Sequence, residues 1–422
     1  MAPPAVELSP QPDIPSPTTD KAHLPPGLKP IPFEKLDSRS DEEIAEWLQI
    51  RHPVTSDKNV WVFWDSGFKQ MAPWVQRSII NCVRRLGPGW TVHVVDGVSG
   101  SETSIYHYVD ASYFHDAFNE KKMDGIFVGQ HSGDLVRLPL LWLYGGVWMD
   151  AGMFLFRHLD DICWKKIEDA ESLYDLAGFS IQLNQEKPDV ECMLNGFIAT
   201  KRKNLFIKKW HDIYLEVWKG KTNADGLHEH PLLKHLPLMC PPLDKRDFPD
   251  LKVVMEPFTD YLTHFMCFER TRKIIDPNDG FNGPEYYAKR ILLAPALQEI
   301  YYFQKVTKWS GPRQFELLTA KRTGEGVIRD EKWHAAEAFV NDSLANTSIM
   351  KLSHGGGEGL ESLADLWDSE EHKDKDNIEG TFAAYLRYGS IHFDQTREIV
   401  PLKFDLTTEE VLNIGHLEPK KD

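Results

Sequence analysis

Residues 134–150 read DLVRLPLLWLYGGVWMD, and this segment decides the fold class. Its first half has the apolar spacing of a helix, which Ser132 can cap and Pro139 should kink. The Gly145-Gly146 pair then ends the helix, because glycine adopts backbone conformations that other residues resist. The next three residues form a short apolar run typical of a buried strand, and Asp150 follows it. The segment therefore predicts a helix, a glycine turn and a strand that ends in a carboxylate.

The residues before this segment predict a strand, a helix and a second strand in succession. The strands are expected at residues 60–64 and 90–95, and Pro73 marks the first turn of the helix between them. Alternating strands and helices are typical of an α/β fold. Each strand ends at an aspartate, and ligands of open α/β sheets bind beyond the carboxyl ends of the strands. Asp65 and Asp96 therefore follow strand ends beyond which a ligand is expected.

Composition and periodicity divide the chain into four parts. We expect a proline-rich, disordered leader at residues 1–38, an N-terminal helix within 39–58, a main domain at 59–350, and a flexible C-terminal loop and tail at 351–422 that packs on it. Further elements are expected as strands at 153–156, 177–183 and 196–200, and as helices after Asn204, at 284–309 with an interruption at Pro295, and at 331–344.

The composition narrows the classes of function. The 422 residues include 48 Lys and Arg against 64 Asp and Glu, which leaves a net charge of −16. That charge repels nucleic acid. The dense basic cluster at 201–209 is either a solvated helix start or a contact to diphosphate or nucleic acid. Five cysteines without metal-ligand spacing predict reduced, buried thiols. There is no secretory signal and no apolar run of about 18 residues, so we expect a soluble, cytoplasmic protein without a membrane span.

Charged residues around the central segment point to a diphosphate site. Asp150 either closes a turn or holds a hard divalent cation, which would grip a substrate diphosphate. Asp134 and Arg137 lie three residues apart on one helix. They form either an ion pair within the helix or a nucleotide site, in which Asp134 binds a ribose or base edge and Arg137 meets a phosphate.

A family resemblance rests on this same block. An S-x-D-x-x-R helix, a Tyr-Gly-Gly turn, an aromatic-rich strand and a DxD-like end resemble the core of the capsular-polysaccharide-synthesis glycosyltransferases. The block is also similar to the wider DxD-sugar family that includes yeast initiation-specific α-1,6-mannosyltransferases. The resemblance covers residues 59–220, including Asn195-Gly196-Phe197-Ile198-Ala199 before a helix, and is strongest to fungal members found in secondary-metabolite gene clusters, one of which glucosylates a triterpenoid. It implies a GT-A-like nucleotide-diphospho-sugar transferase fold, an α/β fold whose Rossmann-like mixed sheet carries a helical C-terminal extension.

The resemblance also implies a set of site residues. Asp150 would hold manganese or magnesium, although Gly152 stands where the family's DxD motif has its second acid. His354, just before a run of three glycines, is the candidate second metal ligand, and His392 is its rival. The implied donor-binding residues are Asp65, Asp134, Arg137, Gly145, Gly146 and Asn195.

The acceptor side leaves several alternatives open. Asp189 and Glu191 are candidates for a general base that takes the proton of an acceptor hydroxyl, while charged loop residues are also commonly only solvated. The side chains of Trp148, Trp210 and Trp218 either stack on a sugar or terpene or belong to the core.

Three functions follow from these observations. The first is a glycosyltransferase, specifically a hexosyltransferase, that moves a sugar from a UDP-linked donor to a hydroxyl of a small lipophilic metabolite such as a terpenoid, or to a glycan. The second is a synthase of arginine-containing cyclic dipeptides that uses aminoacyl-tRNA on the same fold. The third is a non-catalytic protein that binds a nucleotide-sugar, an alternative suggested by Gly152.

Overall fold

The computed structural model describes residues 24–183, 191–241, 253–354, 361–404 and 410–421. Its strands are β1 (Leu28–Pro30), β2 (Asn59–Phe63), β3 (Thr91–Val95), β4 (Gly146–Met149), β5 (Met153–Leu155), β6 (Leu176–Gln182), β7 (Glu191–Thr200), β8 (Ile275–Asp276), β9 (Phe281–Asn282), β10 (Ile291–Pro295), β11 (Ile349–Lys351) and β12 (Phe393–Gln395). Its α-helices are α1 (Asp41–Trp47), α2 (Pro73–Leu86), α3 (Asp116–Asn119), α4 (Val128–Tyr144), α5 (Lys165–Glu168), α6 (Leu205–Val217), α7 (Met255–Tyr261), α8 (Thr263–Lys273), α9 (Gly283–Arg290), α10 (Ala296–Glu299), α11 (Tyr302–Val306), α12 (Gly311–Thr319), α13 (Glu331–Asn346), α14 (Leu363–Asp368) and α15 (Phe382–His392).

The central sheet is mixed, as predicted. Within the described residues it contains six strands in the order β10-β6-β7-β4-β2-β3. β2 pairs in parallel with both β3 and β4, whereas β7 runs antiparallel to β4 and β6. The predicted strand–helix–strand unit is confirmed as β2, α2 and β3, with Pro73 as the first residue of α2. The carboxyl ends of β2, β3 and β4 therefore meet at one edge of the sheet.

The central segment folds as a helix, a glycine turn and a strand. Gly145 ends α4 with a φ of 66°, a left-handed conformation that favours glycine, and its N–H donates to the carbonyl of Leu141. The predicted cap at Ser132 is wrong, because α4 begins four residues earlier at Val128. The Ser132 hydroxyl instead donates to the Val128 carbonyl at 2.7 Å, inside the helix. Pro139 lies within α4, and the helix continues past it.

One predicted helical region contains a strand. The sequence predicts a helix over 284–309 with a break at Pro295, but residues Ile291–Pro295 form β10. This strand extends the sheet in parallel beside β6, with Leu293 opposite Gly178. A short apolar run has no periodicity that separates helix from strand, so the place beside β6 decides the outcome.

The terminal segments are more ordered than the sequence predicts. Within the expected leader, β1 pairs antiparallel with β12, which corrects the prediction for residues 24–38, while residues 1–23 lie outside the described part. The capping box at Ser40 is confirmed, and α1 follows it. The flexible stretch predicted after residue 354 is also corrected where it is described, since Asp376 is fully buried between Arg77 and Arg387.

Two further predictions concern the cysteines and a possible membrane span. All five cysteines are buried and none forms a disulfide bond, as predicted. Among the described helices, none combines the length and apolar character that a membrane crossing requires.

The ion pairs of Asp376 should anchor the C-terminal region to α2. Replacing Asp376 by Ala leaves the buried guanidinium of Arg387 and the half-buried one of Arg77 short of their carboxylate, so we expect a loss of about 3 kcal/mol in the free energy of unfolding. Urea unfolding followed by tryptophan fluorescence measures the change. Asp374→Ala is the matched control, because Asp374 is an exposed partner of Arg77 and its loss should change stability by less than about 1 kcal/mol. Equal losses in both variants would contradict the anchoring role.

Candidate active site

Asp150 is the centre of a charged cluster at the carboxyl edge of the sheet. Its Oδ2 atom lies 2.8 Å from the ammonium Nζ of Lys351, and its Oδ1 accepts the Trp148 indole N–H at 2.9 Å. The guanidinium of Arg137 lies 3.6 Å from the same Oδ1. The Asp150 side chain keeps 27% of its surface exposed, so a ligand can reach it. The backbone N–H donates to the carbonyl of Gly196 on β7, which holds Asp150 in place.

Lys351 reaches this position because β11 packs against the turn after Asp150. β11 pairs antiparallel with β5, with Lys351 opposite Met153. The N–H of Leu352 donates to the carbonyl of Gly152 at 2.8 Å. A Cβ atom on Gly152 would lie 2.5 Å from the carbonyl oxygen of Leu352. The close approach of β11 therefore excludes any side chain at position 152, including an acidic one.

A second carboxylate, Asp134, joins the cluster through Arg137 and Asn195. The guanidinium of Arg137 lies 2.9 Å from Asp134 Oδ1, and the Asn195 amide donates to the same oxygen at 2.9 Å. Arg137 also donates to the backbone carbonyl of Asn195 at 2.7 Å and stacks over the Trp148 ring at 4.9 Å. The three residues are buried, so each charge depends on its partner. Arg137 thus links Asp134 to Asp150.

Neighbouring opposite charges keep Asp134, Asp150 and Lys351 ionised. Burial raises the pKa of Asp134, but Arg137 and His131 outweigh it and lower the value to about 2. Burial likewise raises the pKa of Asp150, and Lys351 and Arg137 bring it below its ordinary value. Burial lowers the pKa of Lys351, whereas Asp150 raises it well above its ordinary value. Lys351 and Asp150 are therefore an ammonium–carboxylate pair at neutral pH.

An apolar rim borders the charged cluster. The rings of Phe127 and Tyr261 lie 4.5 Å apart, and Tyr261 packs beside His131. Burial is the main cause that raises the pKa of Tyr261 to about 12; the Lys351 ammonium opposes this shift, and the carboxylates of Asp134 and Asp150 add to it. Ile126, just before Phe127, is 88% exposed. The start of α4 therefore presents apolar surface next to the carboxylates.

Asp65 and the two glycines of the turn lie at opposite edges of the sheet. Asp65 is exposed, two residues beyond the end of β2, and its carbonyl accepts the Gly97 N–H, so it lies at the edge that carries Asp150. Gly146 begins β4, directly after Gly145, and lies roughly 13 Å from Asp150 at about 3.3 Å per residue. A Cβ on Gly146 would lie 2.4 Å from the carbonyl oxygen of Asn59. Close packing therefore explains both glycines, and their predicted donor-binding role stays a prediction.

Glu191, a predicted base, and His354, a predicted metal ligand, do not join the cluster. Glu191 accepts a hydrogen bond from the Ser180 hydroxyl at 2.8 Å, and it begins β7 five residues before Gly196. Asp189 lies outside the described residues. His354 lies 2.6 Å from Asp368, and the Asp368 carboxylate also accepts the Trp74 indole N–H.

His392, the alternative metal ligand, and the three tryptophans named above also lie away from a ligand-binding position. His392 ends α15, where its ring lies 4.2 Å from the Tyr388 ring and its carbonyl accepts the Ile31 N–H near β1. The side chains of Trp148, Trp210 and Trp218 are at most 2% exposed and belong to the core. The core alternative is therefore confirmed for these tryptophans.

The basic cluster at 201–209 is largely neutralised by carboxylates. Arg202 pairs with Asp57, and Lys208 pairs with Asp212 at 2.5 Å. Lys209 is buried and pairs with Asp276 at 2.7 Å. These ion pairs favour the structural interpretation of the cluster over a nucleic-acid surface.

Lys351 and Tyr261 were missed from the sequence. Lys351 stands three residues before His354 in the sequence. The sequence therefore predicts that this segment approaches Asp150, but it names His354 rather than Lys351 as the residue in contact. Tyr261 carries no local signal, since its place depends on the packing of α7 against the start of α4.

The residues present do not form a metal site around Asp150. Lys351, Trp148 and Arg137 surround both of its carboxylate oxygens, and position 152 offers no second acid. In the part of the chain that the structure describes, no three His, Cys, Asp or Glu side chains converge as metal ligands. The predicted ligands Asp150 and His354 are each paired elsewhere, so the arrangement does not support a cation held between them.

Comparisons with known proteins agree on one family. Residues 31–226 match the family model described as capsular polysaccharide synthesis protein. O-glycosyltransferase braB of Annulohypoxylon truncatum is 64% identical over 100% of both chains. Glycosyltransferase afumC of Aspergillus fumigatus is 43% identical over 92% of this chain and 99% of its own, and O-glycosyltransferase PaGT of Phomopsis amygdali is 38% identical over 94% and 97%.

Replacing Asp134 by Asn should flatten the loss of stability in acid. The native pKa of Asp134 is about 2, below its ordinary 3.8, so the ionised carboxylate stabilises the fold above about pH 4 and this contribution is lost as the pH falls towards 2. Between pH 5 and pH 3 the wild-type protein should lose about 1 kcal/mol that D134N does not lose. Urea unfolding across this range measures the difference. The exposed Asp65 provides the control D65N, which should follow the wild type; parallel slopes for D134N and wild type would refute the assigned pKa.

Proposed function

The chain belongs to the fungal glycosyltransferases of the capsular polysaccharide synthesis family, and we propose that its donor is a nucleotide-diphospho-sugar, UDP-linked, and its acceptor a hydroxyl of a small lipophilic metabolite such as a terpenoid. The observation that carries this proposal is the charged cluster of Asp150, Lys351, Arg137 and Asp134 at the carboxyl edge of the sheet. A GT-A-like arrangement of the mixed sheet is part of the proposal, since that edge is where open α/β sheets bind ligands.

The donor would lie across the cluster. Asp134 and Asn195 offer an acceptor and an amide for the ribose or base, while Arg137 and Lys351 offer positive charge for the diphosphate. Asp65, at the same edge, would border the base. Guanidinium and ammonium groups placed in advance at a diphosphate stabilise the charge that develops as it leaves.

The reaction conserves atoms and charge. The bond between the anomeric carbon and the diphosphate oxygen breaks, and its electron pair stays with the nucleoside diphosphate. The acceptor oxygen forms the new bond to the anomeric carbon, and its proton is released to the buffer. The products are a glycoside, a nucleoside diphosphate and one proton.

The apolar rim supports a lipophilic acceptor over a glycan. Ile126, Phe127 and Val128 are exposed to solvent at the start of α4, and Phe127 packs on Tyr261 beside the charged groups. Contiguous exposed apolar residues next to a polar site are typical of a binding surface for an apolar ligand. A terpenoid acceptor would rest its hydrocarbon skeleton there and direct a hydroxyl towards the donor.

The two other functions receive less support. A tRNA-dependent reaction needs a polyanion-binding surface, and Arg202, Lys208 and Lys209 of the basic cluster at 201–209 are paired with carboxylates. A non-catalytic nucleotide-sugar binder is at odds with a full-length relative at 64% identity that is named an O-glycosyltransferase.

Replacing Asp150 by Asn should abolish glycosyl transfer without unfolding the protein. The variant leaves Lys351 and Arg137 without their shared carboxylate, so we expect a loss of about 100-fold or more, the scale seen when one pre-organised electrostatic contact is removed. A donor screen with mass-spectrometric detection of glycoside measures transfer, and circular dichroism checks the fold. Asp374→Asn, at an exposed surface carboxylate, is the control and should keep wild-type activity. Full activity of D150N would refute the assignment.

Replacing Ile126 by Ser should weaken acceptor binding selectively. Removing about 1 kcal/mol of apolar contact should raise the acceptor KM about five-fold for a terpenoid alcohol and leave the donor KM unchanged. Steady-state kinetics with each substrate varied in turn measure the effect. Ile328→Ser is the matched control, because Ile328 is 78% exposed in the loop before α13. An unchanged acceptor KM in I126S would contradict the proposal that the apolar rim binds the acceptor.

A further inference from the structure

Lys351 lies where the sequence places a metal ion. Its Nζ is 2.8 Å from Asp150 Oδ2, and the lysine side chain is only 17% exposed. The ammonium is therefore fixed against Asp150 rather than free in solvent.

Two glycines make room for this lysine. Gly152 allows β11 to approach the turn after Asp150, since a Cβ there would lie 2.5 Å from the Leu352 carbonyl oxygen. Gly196 leaves space for the ion pair itself, because a Cβ there would lie 2.6 Å from Asp150 Oδ2 and 2.7 Å from Lys351 Nζ. The close approach of β11 thus has two consequences. It excludes an acidic side chain at position 152, and it places Lys351 beside Asp150.

The charge balance of the cluster depends on this lysine. Asp134 and Asp150 carry two negative charges, and Arg137 and Lys351 carry two positive charges, so the cluster is neutral. Without Lys351 it would carry one negative charge, in a chain whose net charge is already −16. A diphosphate would then meet repulsion at short and long range. A lysine ammonium is a compact point charge that commonly binds phosphate.

We propose that Lys351 is the cation of the donor site, that Asp150 positions its ammonium against the donor diphosphate, and that nucleotide binding needs no divalent metal. This inference rests on the proposed function, because it names the residue that neutralises the diphosphate of that donor. It assigns the carboxylate of Asp150 to a protein cation in place of a metal ion.

Nucleotide binding in the absence of metal tests the inference directly. We expect isothermal titration calorimetry of the full chain to give UDP binding in EDTA, with an affinity that excess Mn²⁺ changes by less than about three-fold. UDP and GDP are used as probes because they carry the diphosphate without the unidentified sugar. This measurement uses the wild-type protein, so it does not depend on a variant that folds.

Variants separate the lysine from the rest of the cluster. In EDTA, Lys351→Met should lower UDP affinity at least ten-fold, and Lys351→Arg should retain most of it. Gly196→Ala should weaken binding in the same direction, because its Cβ occupies the space between the paired charges. Lys373→Met is the matched control, since Lys373 forms an exposed surface pair with Glu370 and should leave UDP binding unchanged.

The outcomes distinguish this inference from the proposed function. UDP binding that appears only with Mn²⁺, or that is unchanged in K351M, would overturn the role of Lys351 and leave the proposed donor class standing. No binding of UDP or GDP in either condition would overturn the proposed donor and this inference together. Metal-independent binding that K351M loses and K351R keeps would establish both.

Discussion

The ion pair between Asp150 and Lys351 joins two residues that are 201 positions apart in the chain. Both groups are largely buried, and a buried charge is tolerated only beside a partner of opposite sign. The pair therefore constrains everything near it: β11 must lie against the turn after β4, and positions 152 and 196 must be glycine. The ion pair joins the end of β4 to the end of β11, and backbone hydrogen bonds hold the middle of β7 beside them.

Around the Asp150–Lys351 pair, charged groups and apolar side chains occupy separate parts of the site. Arg137 connects Asp150 to Asp134, and Asn195 completes the hydrogen bonds of the second carboxylate. The apolar rim at Phe127 and Tyr261 begins where the charges end. The local charges cancel in a chain that is strongly acidic overall, so an anionic donor can approach the cluster although the protein as a whole repels anions.

The region after residue 350 completes the main domain and does not merely extend it. Asp376 is buried between two arginines, one of them on α2, and His354 pairs with Asp368 beside Trp74. β1 pairs with β12, so the start of the described chain and its C-terminal part support each other. These contacts hold in place the segment from which β11 brings its lysine. The fold and the site thus depend on the same long-range packing.

The sequence by itself determined the elements whose signals are local. The helix–glycine–strand block, the β2–α2–β3 unit, and the grouping of Asp134, Arg137 and Asp150 follow from periodicity and spacing within a few tens of residues. Only the tertiary structure decided that residues 291–295 join the sheet and that Lys351 rather than His354 reaches the carboxylate. The physical reason is that strand partners and ion pairs between distant segments depend on packing and desolvation, which no local pattern of residues records.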